Sequence, residues 1–236
     1  MVVAGPAAPI GLMGAMESET EALRAAIEHP RPRAALGCEL IDGRLDGHAV
    51  LLATSGVGKV NAALTTAAMA TAGVSGLLFT GVAGALSPEL KVGNAVIATR
   101  LIQHDVDLTP FGRLPGEIGG RPAGGTADPA LSGRLEQACR TMGLAPVQGV
   151  VASGDQFIAD AGRAAAIAQQ FGAIAVEMEG AAVAQVCARL RLPFAVLRWI
   201  SDAADDQAVS VGSAFTLEQA PARDLAVVRA FLAQRG

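Results

Sequence analysis

Seven stretches of the chain carry apolar side chains over strand-like lengths, and segments of helical period lie between them. "PIGLM" (9–13), "GLLFTG" (76–81), "GNAVIAT" (93–99), "VQGVVAS" (147–153), "AIAVEM" (173–178) and "FAVLRWIS" (194–201) read as strands. "CELIDGRLDGHAVLLAT" (38–54) is long enough for a hairpin, with its Asp-Gly pairs as turn signals. Helices are predicted at about residues 17–28, 58–73, 129–142, 161–171, 179–190 and 217–234. The first sets Leu23, Ala26 and Ile27 on one face and places Glu residues in its opening turn, where the helix dipole favours them. This alternation predicts an α/β protein of one domain spanning residues 1–236. Its three layers would be a central mixed, largely parallel sheet flanked by helices. The patternless "TPFGRLPGEIGGRPAGGTADPA" (109–130) reads as a long loop, of the kind that is often functional or mobile.

Composition sharpens this picture. The 236 residues are 51% hydrophobic and only 3% aromatic, which suits a compact core of small and aliphatic side chains. A net charge of −4, with no run of Lys and Arg, argues against nucleic acid as the main ligand. The N-terminal stretch lacks the features of a signal peptide, and no uninterrupted apolar stretch is long enough to span a bilayer, so a cytoplasmic protein without membrane contact is expected. Cys38, Cys139 and Cys187 read as free thiols. These and the three histidines are scattered and without metal-ligand spacing, so no metal and no cofactor are expected.

Ligands of parallel α/β sheets bind beyond the carboxyl ends of the strands, and four places there carry polar residues. "GLMGAMESE" puts Glu17 and Glu19 on an opening helical turn, an ordinary place for acids. "TSGVGKVNA" and "TGVAGAL" are glycine turns resembling phosphate cradles, though neither is a Walker motif or a dinucleotide fingerprint, and either could be a plain tight turn. "AVEMEGA" sets two carboxylates around a methionine at a strand-to-helix junction, as helix decoration or as a binding site. In "RWISDAADD", Ser201 and Asp202 follow an apolar strand, where either could cap a helix. Four such signals at one edge of one sheet weigh more together than apart.

These segments also resemble a known pattern. "IGLMGAMESE", "SGVGKVNAA", "TGVAGAL", "LKVGNAV", "HDVDLTPFG", "SGDQFI", "AVEMEGAAVAQVC" and "PFAVLRWISDAAD" resemble, in order and over nearly the whole chain, the 5′-methylthioadenosine/S-adenosylhomocysteine nucleosidases of the wider nucleoside phosphorylase family. The resemblance implies a nucleoside phosphorylase-like fold, an adenine nucleoside as small-molecule substrate and a homodimer. It implies that Glu19 activates water as general base and that Asp202 protonates N7 of the departing adenine, with Ser201 and Arg198 as positioning groups. Phe157 would stack on adenine and the Ile158 backbone would bond its edge. Met178 would pack beneath the ribose while Glu179 accepts from its 2′ and 3′ hydroxyls. Met16 and Val57 would line the pocket, and Gly84 would lend backbone to the sugar side. Leu108 and Phe111 would reach across the dimer to cover the neighbour's 5′-alkylthio group. Glu177 is expected to be structural.

The chemistry accounts for these residue types. Breaking an N-glycosidic bond builds positive charge on the ribose and negative charge on the purine, so a positioned acid at the base and carboxylates near the sugar both lower the barrier. A phosphorylase instead needs cationic groups for its phosphate, and this chain offers Glu17 and Glu19 at the first-strand loop and Phe79-Thr80 before the second glycine turn. Hydrolysis is therefore expected. Relatives acting on futalosine, adenosyl-hopanoid or 5′-deoxyadenosine, or a non-catalytic nucleoside-binding protein on the same fold, are the alternatives. Two departures from the family stand out: "TGVAGA" where Thr-Gly-Ser-Ala-Gly-Gly is usual, and a late loop with Gly212 near the position of a usual aromatic and Phe215 three residues on.

Overall fold

The structure, a computed structural model, describes residues 8–209 and 219–234. The chain runs β1 (Ile10–Gly14), α1 (Glu17–Ala26), β2 (Glu28–Ala35), β3 (Cys38–Leu45), β4 (His48–Thr54), α2 (Lys59–Thr71), β5 (Gly76–Ala85) and β6 (Ala95–Gln103). A 3-10 turn (Thr109–Phe111) leads into the short strands β7 (Glu117–Ile118), β8 (Arg121–Pro122) and β9 (Gly124–Thr126). Then come α3 (Pro129–Thr141), β10 (Val147–Ser153), α4 (Ala161–Phe171), β11 (Ala173–Glu177), α5 (Gly180–Leu190), β12 (Phe194–Asp202) and α6 (Ala220–Ala233).

All seven predicted apolar runs form strands. β1 pairs in parallel with β4 and β5, β5 with β12, and β10 with β6 and β11, while the antiparallel pairs are β2–β3, β3–β4, β6–β9, β6–β12 and β5–β11. The sheet is thus mixed, with its central strands mostly parallel. Alternating side chains go to opposite faces. Met13, Leu51 and Phe79 pack with α2 and α5, whereas Leu12, Leu52, Leu78 and Trp199 pack with α1, α3 and α6. No helix among the described residues is long and apolar enough to cross a membrane.

Two features depart from the sequence reading. The predicted hairpin turns at Asp46-Gly47, both at positive φ, but the sheet gains a further edge strand, β2. Its residues "EHPRPRAA" are almost all exposed and include two prolines, which an edge strand tolerates and a central one does not. The Gly/Pro-rich stretch is also not wholly loop, because β7 and β8 form a small hairpin and β9 pairs with β6. At Gly124 the approach is so close that a Cβ would run into the Leu101 backbone.

One half of the sheet closes on itself. The order β11-β10-β6-β12-β5 is sealed by antiparallel pairing of Ala175 and Val176 with Ala85 and Gly84. β5 thereby delivers its last residues to the same end at which β1, β11 and β12 finish.

Candidate active site

At that end lies a cavity of about 250 Å³, lined from β1 and α1 by Ala15, Met16 and Glu19, and from β5 by Val82, Ala83 and Gly84. The β10–α4 loop adds Gln156, Phe157 and Ile158; β11 and its junction with α5 add Val176, Glu177, Met178 and Glu179; β12 adds Ser201 and Asp202. Val57, from the glycine turn before α2, completes the wall.

Glu19 occupies the third position of α1, where a glutamate ordinarily reaches back to the start of its helix. Its Oε2 accepts from the Ala15 and Met16 amides (2.7 and 2.9 Å), and its Oε1 accepts from the Val82 amide of β5 (3.0 Å). Only 2% exposed, the carboxylate is held by three amides from two elements instead of decorating the surface. Gly81 makes room for it, since a Cβ there would come within 2.5 Å of both Glu19 Oε1 and Arg198 Nη1.

Arg198 lies on β12 behind the wall rather than on it. Its guanidinium sits 4.0 Å over the Phe79 ring and donates to Glu177 Oε2 at 2.5 Å. Burial works against its charge, and Glu177, Glu19 and Glu179 more than offset that, so it stays cationic. Glu177 is correspondingly occupied: it accepts from the Ser153 hydroxyl and from the Gly180 and Glu179 amides. Ser153 in turn accepts from the Ala181 amide at 2.7 Å.

Glu179, two residues on, caps α5 in a different setting. It accepts one bond, from the Gly58 amide (2.8 Å), and it is 6% exposed. Burial and then the neighbouring Glu177 push its carboxyl up to about 7. Gly58, at φ +97°, belongs to the turn that looked like a phosphate cradle; here its N–H meets a carboxylate of the protein itself.

Asp202 ends β12. Its Oδ1 accepts from the Ala204 amide (2.9 Å) and its Oδ2 lies 2.6 Å from Ser201 Oγ, which also lies 3.4 Å from the Ala83 carbonyl. A hydroxyl both donates and accepts. Ser201 can therefore serve an ionised Asp202 as donor, or turn its proton to Ala83 and accept from a protonated one. Gly84 leaves the space for this carboxyl, as a Cβ there would lie 2.8 Å from Asp202 Oδ1.

Of the sequence-predicted residues, the structure gathers Met16, Glu19, Val57, Gly84, Phe157, Ile158, Met178, Glu179, Ser201 and Asp202 around one cavity and sets Arg198 directly behind it. Leu108 and Phe111 are not on its wall; they sit at the 3-10 turn, with Phe111 81% exposed. Gly212 and Phe215 lie outside the described residues. Sequence reasoning missed Ser153 and the Gly58 amide. Their signals, a serine closing a strand and a glycine before a helix, are too common to single out.

The chain matches the phosphorylase superfamily model over residues 9–233. It is 42% identical over 198 residues to a 5′-methylthioadenosine/S-adenosylhomocysteine nucleosidase of Bacillus cereus (strain G9842), covering 83% of this chain and 86% of that one. The Helicobacter pylori MTAN mutant with 5′-methylthioadenosine in its active site superposes with a TM-score of 0.91 at 34% identity, over 96% of this chain and 99% of that one. A futalosine hydrolase mutant of Helicobacter pylori strain 26695 gives 0.91 at 33% identity, again over 96% and 99%. By sequence and by structure, the chain belongs to the phosphorylase superfamily and, within it, to the 5′-methylthioadenosine/S-adenosylhomocysteine nucleosidases.

Proposed function

We propose that this protein hydrolyses the N-glycosidic bond of 5′-methylthioadenosine and S-adenosylhomocysteine, releasing adenine and the corresponding thioribose. The observation that carries the hydrolytic reading is the charge of the wall: Glu19, Glu177, Glu179 and Asp202 line the cavity, and no Lys or Arg does among the described residues. A phosphate dianion would meet repulsion there, whereas water and a ribose gaining positive charge are suited to it.

In this reading Asp202 gives its proton to N7 of adenine as the bond breaks, while Ser201 switches from acceptor to donor. Phe157 stacks on the base, the Ile158 backbone bonds its edge, and Met178 packs beneath the sugar. Glu179 accepts from the ribose hydroxyls, and its negative charge favours the cationic transition state. Glu19, aligned by its three amides, takes the proton of the attacking water. Gly84 and Val57 shape the sugar side, Met16 lines the same pocket, and Arg198 keeps Glu177 neutralised behind them.

The active unit in this proposal is a homodimer. The exposed apolar side chains Val57, Val60 and Leu64, around the start of α2, and Phe111 and Leu114, around the 3-10 turn, are surface that a second copy would cover, and Leu108 and Phe111 would then reach the neighbour's 5′ group. The free thiols, with burial pushing Cys139 up to about 11 and Cys187 up to about 12, suit a reducing cytoplasm.

Purified protein should release free adenine from 5′-methylthioadenosine in phosphate-free buffer. A requirement for phosphate, or ribose 1-phosphate products, would overturn the hydrolase reading. The futalosine hydrolase neighbour makes futalosine the first alternative 5′ substituent for a substrate panel.

A further inference from the structure

The glycine turn before α2 leads into a lysine that the reaction above does not use. Lys59 is the first residue of α2, where the helix dipole disfavours a cation, and Gly58 before it has no side chain with which to cap the helix. Both needs are met by residues from elsewhere in the chain. The Lys59 N–H donates to Asp155 Oδ1 (2.8 Å), next to the Gly58 N–H on Glu179. The Lys59 ammonium donates to Gln103 Oε1 (3.0 Å), at the end of β6, and to Asp105 Oδ1 (2.7 Å), and it lies 3.9 Å from Asp155 Oδ2. Asp105 uses its other oxygen, Oδ2, to accept the Asp155 N–H (3.0 Å). Lys59, Asp105 and Asp155 thus close a ring of three bonds between residues 46, 50 and 96 positions apart.

The ring stands where the β10–α4 loop begins. Residues 154–160 form no regular structure, and Phe157 among them is 55% exposed, so packing alone does little to fix its ring. Asp155 fastens this loop at both its amide and its carboxylate, two residues before Phe157 and three before Ile158. The segments approach closely: a Cβ at Gly154 would run into the His104 ring, and one at Gly58 would lie 3.2 Å from Asp155 Oδ1. The Lys59 and Asp105 side chains are each 17% exposed, which largely shields their pair from water. Gln103 extends the tie to Gln185 of α5 (2.7 Å).

We propose that Lys59 is a positioning residue for the base-binding loop. Its ring with Asp105 and Asp155 holds Phe157 and Ile158 against the wall that Val57 and Glu179 form, and so sets the affinity for the adenine base rather than the rate of bond cleavage. The proposal rests on the reading above for the identity of the base. It also accounts for a lysine beside an acid-lined cavity that makes no phosphate site: the ammonium is occupied by Asp105 and Gln103.

Lys59→Met keeps the length of the side chain and opens the ring. The KM for 5′-methylthioadenosine should rise roughly 5- to 50-fold, within the worth of one base-aromatic stack, while kcat stays within about threefold, the pattern of lost uniform binding. An unchanged KM, or a fall in kcat at unchanged KM, would overturn the proposal. Asp105→Asn can accept from only one of the two donors and should move KM the same way. The double variant should lie within about threefold of the worse single one, since either change alone opens the ring; effects that multiply would refute it. Should Lys59→Met not fold, Asp105→Asn decides, and a wild-type KM there overturns the tie. Hydrogen exchange of residues 154–160 should be at least about fivefold faster in Lys59→Met, with β5 and β12 unaltered; unaltered exchange in the loop would also overturn it. If the wild type releases no adenine, the hydrolytic reading fails separately, and the exchange still decides whether Lys59 holds the loop.

Discussion

The pair formed by Arg198 and Glu177 is the most demanding test of the electrostatics, because the charges of Glu19 and Glu179 also act on Arg198. Both side chains are buried, 1% and 3% exposed, and the guanidinium also faces Phe79. Replacing Arg198 by Met keeps the length of the side chain and removes the charge, leaving Glu177 in the interior without its cation. Breaking a buried pair in this way costs about 3–5 kcal/mol. The contact with Phe79 is a further 0.5–2 kcal/mol or so. The Ser153 hydroxyl and the Gly180 and Glu179 amides remain on Glu177 and temper the loss, so a total of about 3–5 kcal/mol is expected.

With a urea slope of roughly 3 kcal/mol/M, that loss is a fall of about 1 to 1.7 M in the unfolding midpoint. Urea denaturation at fixed protein concentration, followed by Trp199 emission, measures it. Glu177→Gln should cost a similar amount by leaving Arg198 unpaired. The decisive quantity is the double variant, which deletes the second charge after the first has lost its partner. It should be more stable than the summed losses predict by at least about 2 kcal/mol. Additivity of the two single losses to within about 0.5 kcal/mol would refute the reasoning, because it would mean the two charges are solvated independently of one another.

The remaining predictions concern the chemistry. Asp202→Asn should cut adenine release by about 10²- to 10⁴-fold while a substrate analogue still binds, since it removes only the proton donor; near-normal turnover would sink the acid assignment. Gly81→Ala places a Cβ within 2.5 Å of Glu19 Oε1 and Arg198 Nη1, so it should depress kcat by roughly 100-fold through displacement of the base, read against an unchanged circular-dichroism spectrum. Glu179, raised from 4.5 to about 7, contributes stability that is complete below pH 4.5 and is lost as the pH climbs through about 7. Glu179→Gln should therefore be the more stable protein at pH 8, by on the order of 3 kcal/mol, with the difference fading towards pH 4; thermal melts across that range that run parallel would contradict it.

Much of this was legible in the sequence because the informative segments are buried on both faces. Continuous apolar runs such as "GLLFTG" and "FAVLRWIS" can only be interior strands, and the residues just past them had to be the polar rim of a cleft. β2 was not legible, since an exposed edge strand needs no apolar alternation and its prolines argue for a loop. Nor was the closure of β11 onto β5, which depends on how far β5 runs beyond its parallel partners. The pairing of Arg198 with Glu177 was hidden for a related reason: the two residues are separated by 21 positions and meet only because β11 and β12 belong to the same closed half-sheet. Leu108 and Phe111 show the opposite limit. They do not line the cavity of this chain, so its fold gives no account of the role that the resemblance implied for them.

The two glutamates of "AVEMEGA" show how a fold separates like residues. They stand two positions apart at the end of one strand, yet Glu177 meets a guanidinium, a hydroxyl and two amides, whereas Glu179 meets one amide and the charge of its twin. The first is thereby fixed as the counter-ion of Arg198. The second is left near the balance between its acid and its anion at neutral pH, the condition under which a neighbouring charge has the largest effect on its ionisation. In the proposed reaction that neighbour is the ribose as it gains positive charge, which draws Glu179 towards its anion at the moment a negative group is of use. A fully ionised carboxylate would have to be kept buried in the resting site at a constant electrostatic cost. One poised near neutrality bears that cost chiefly when the transition state offsets it.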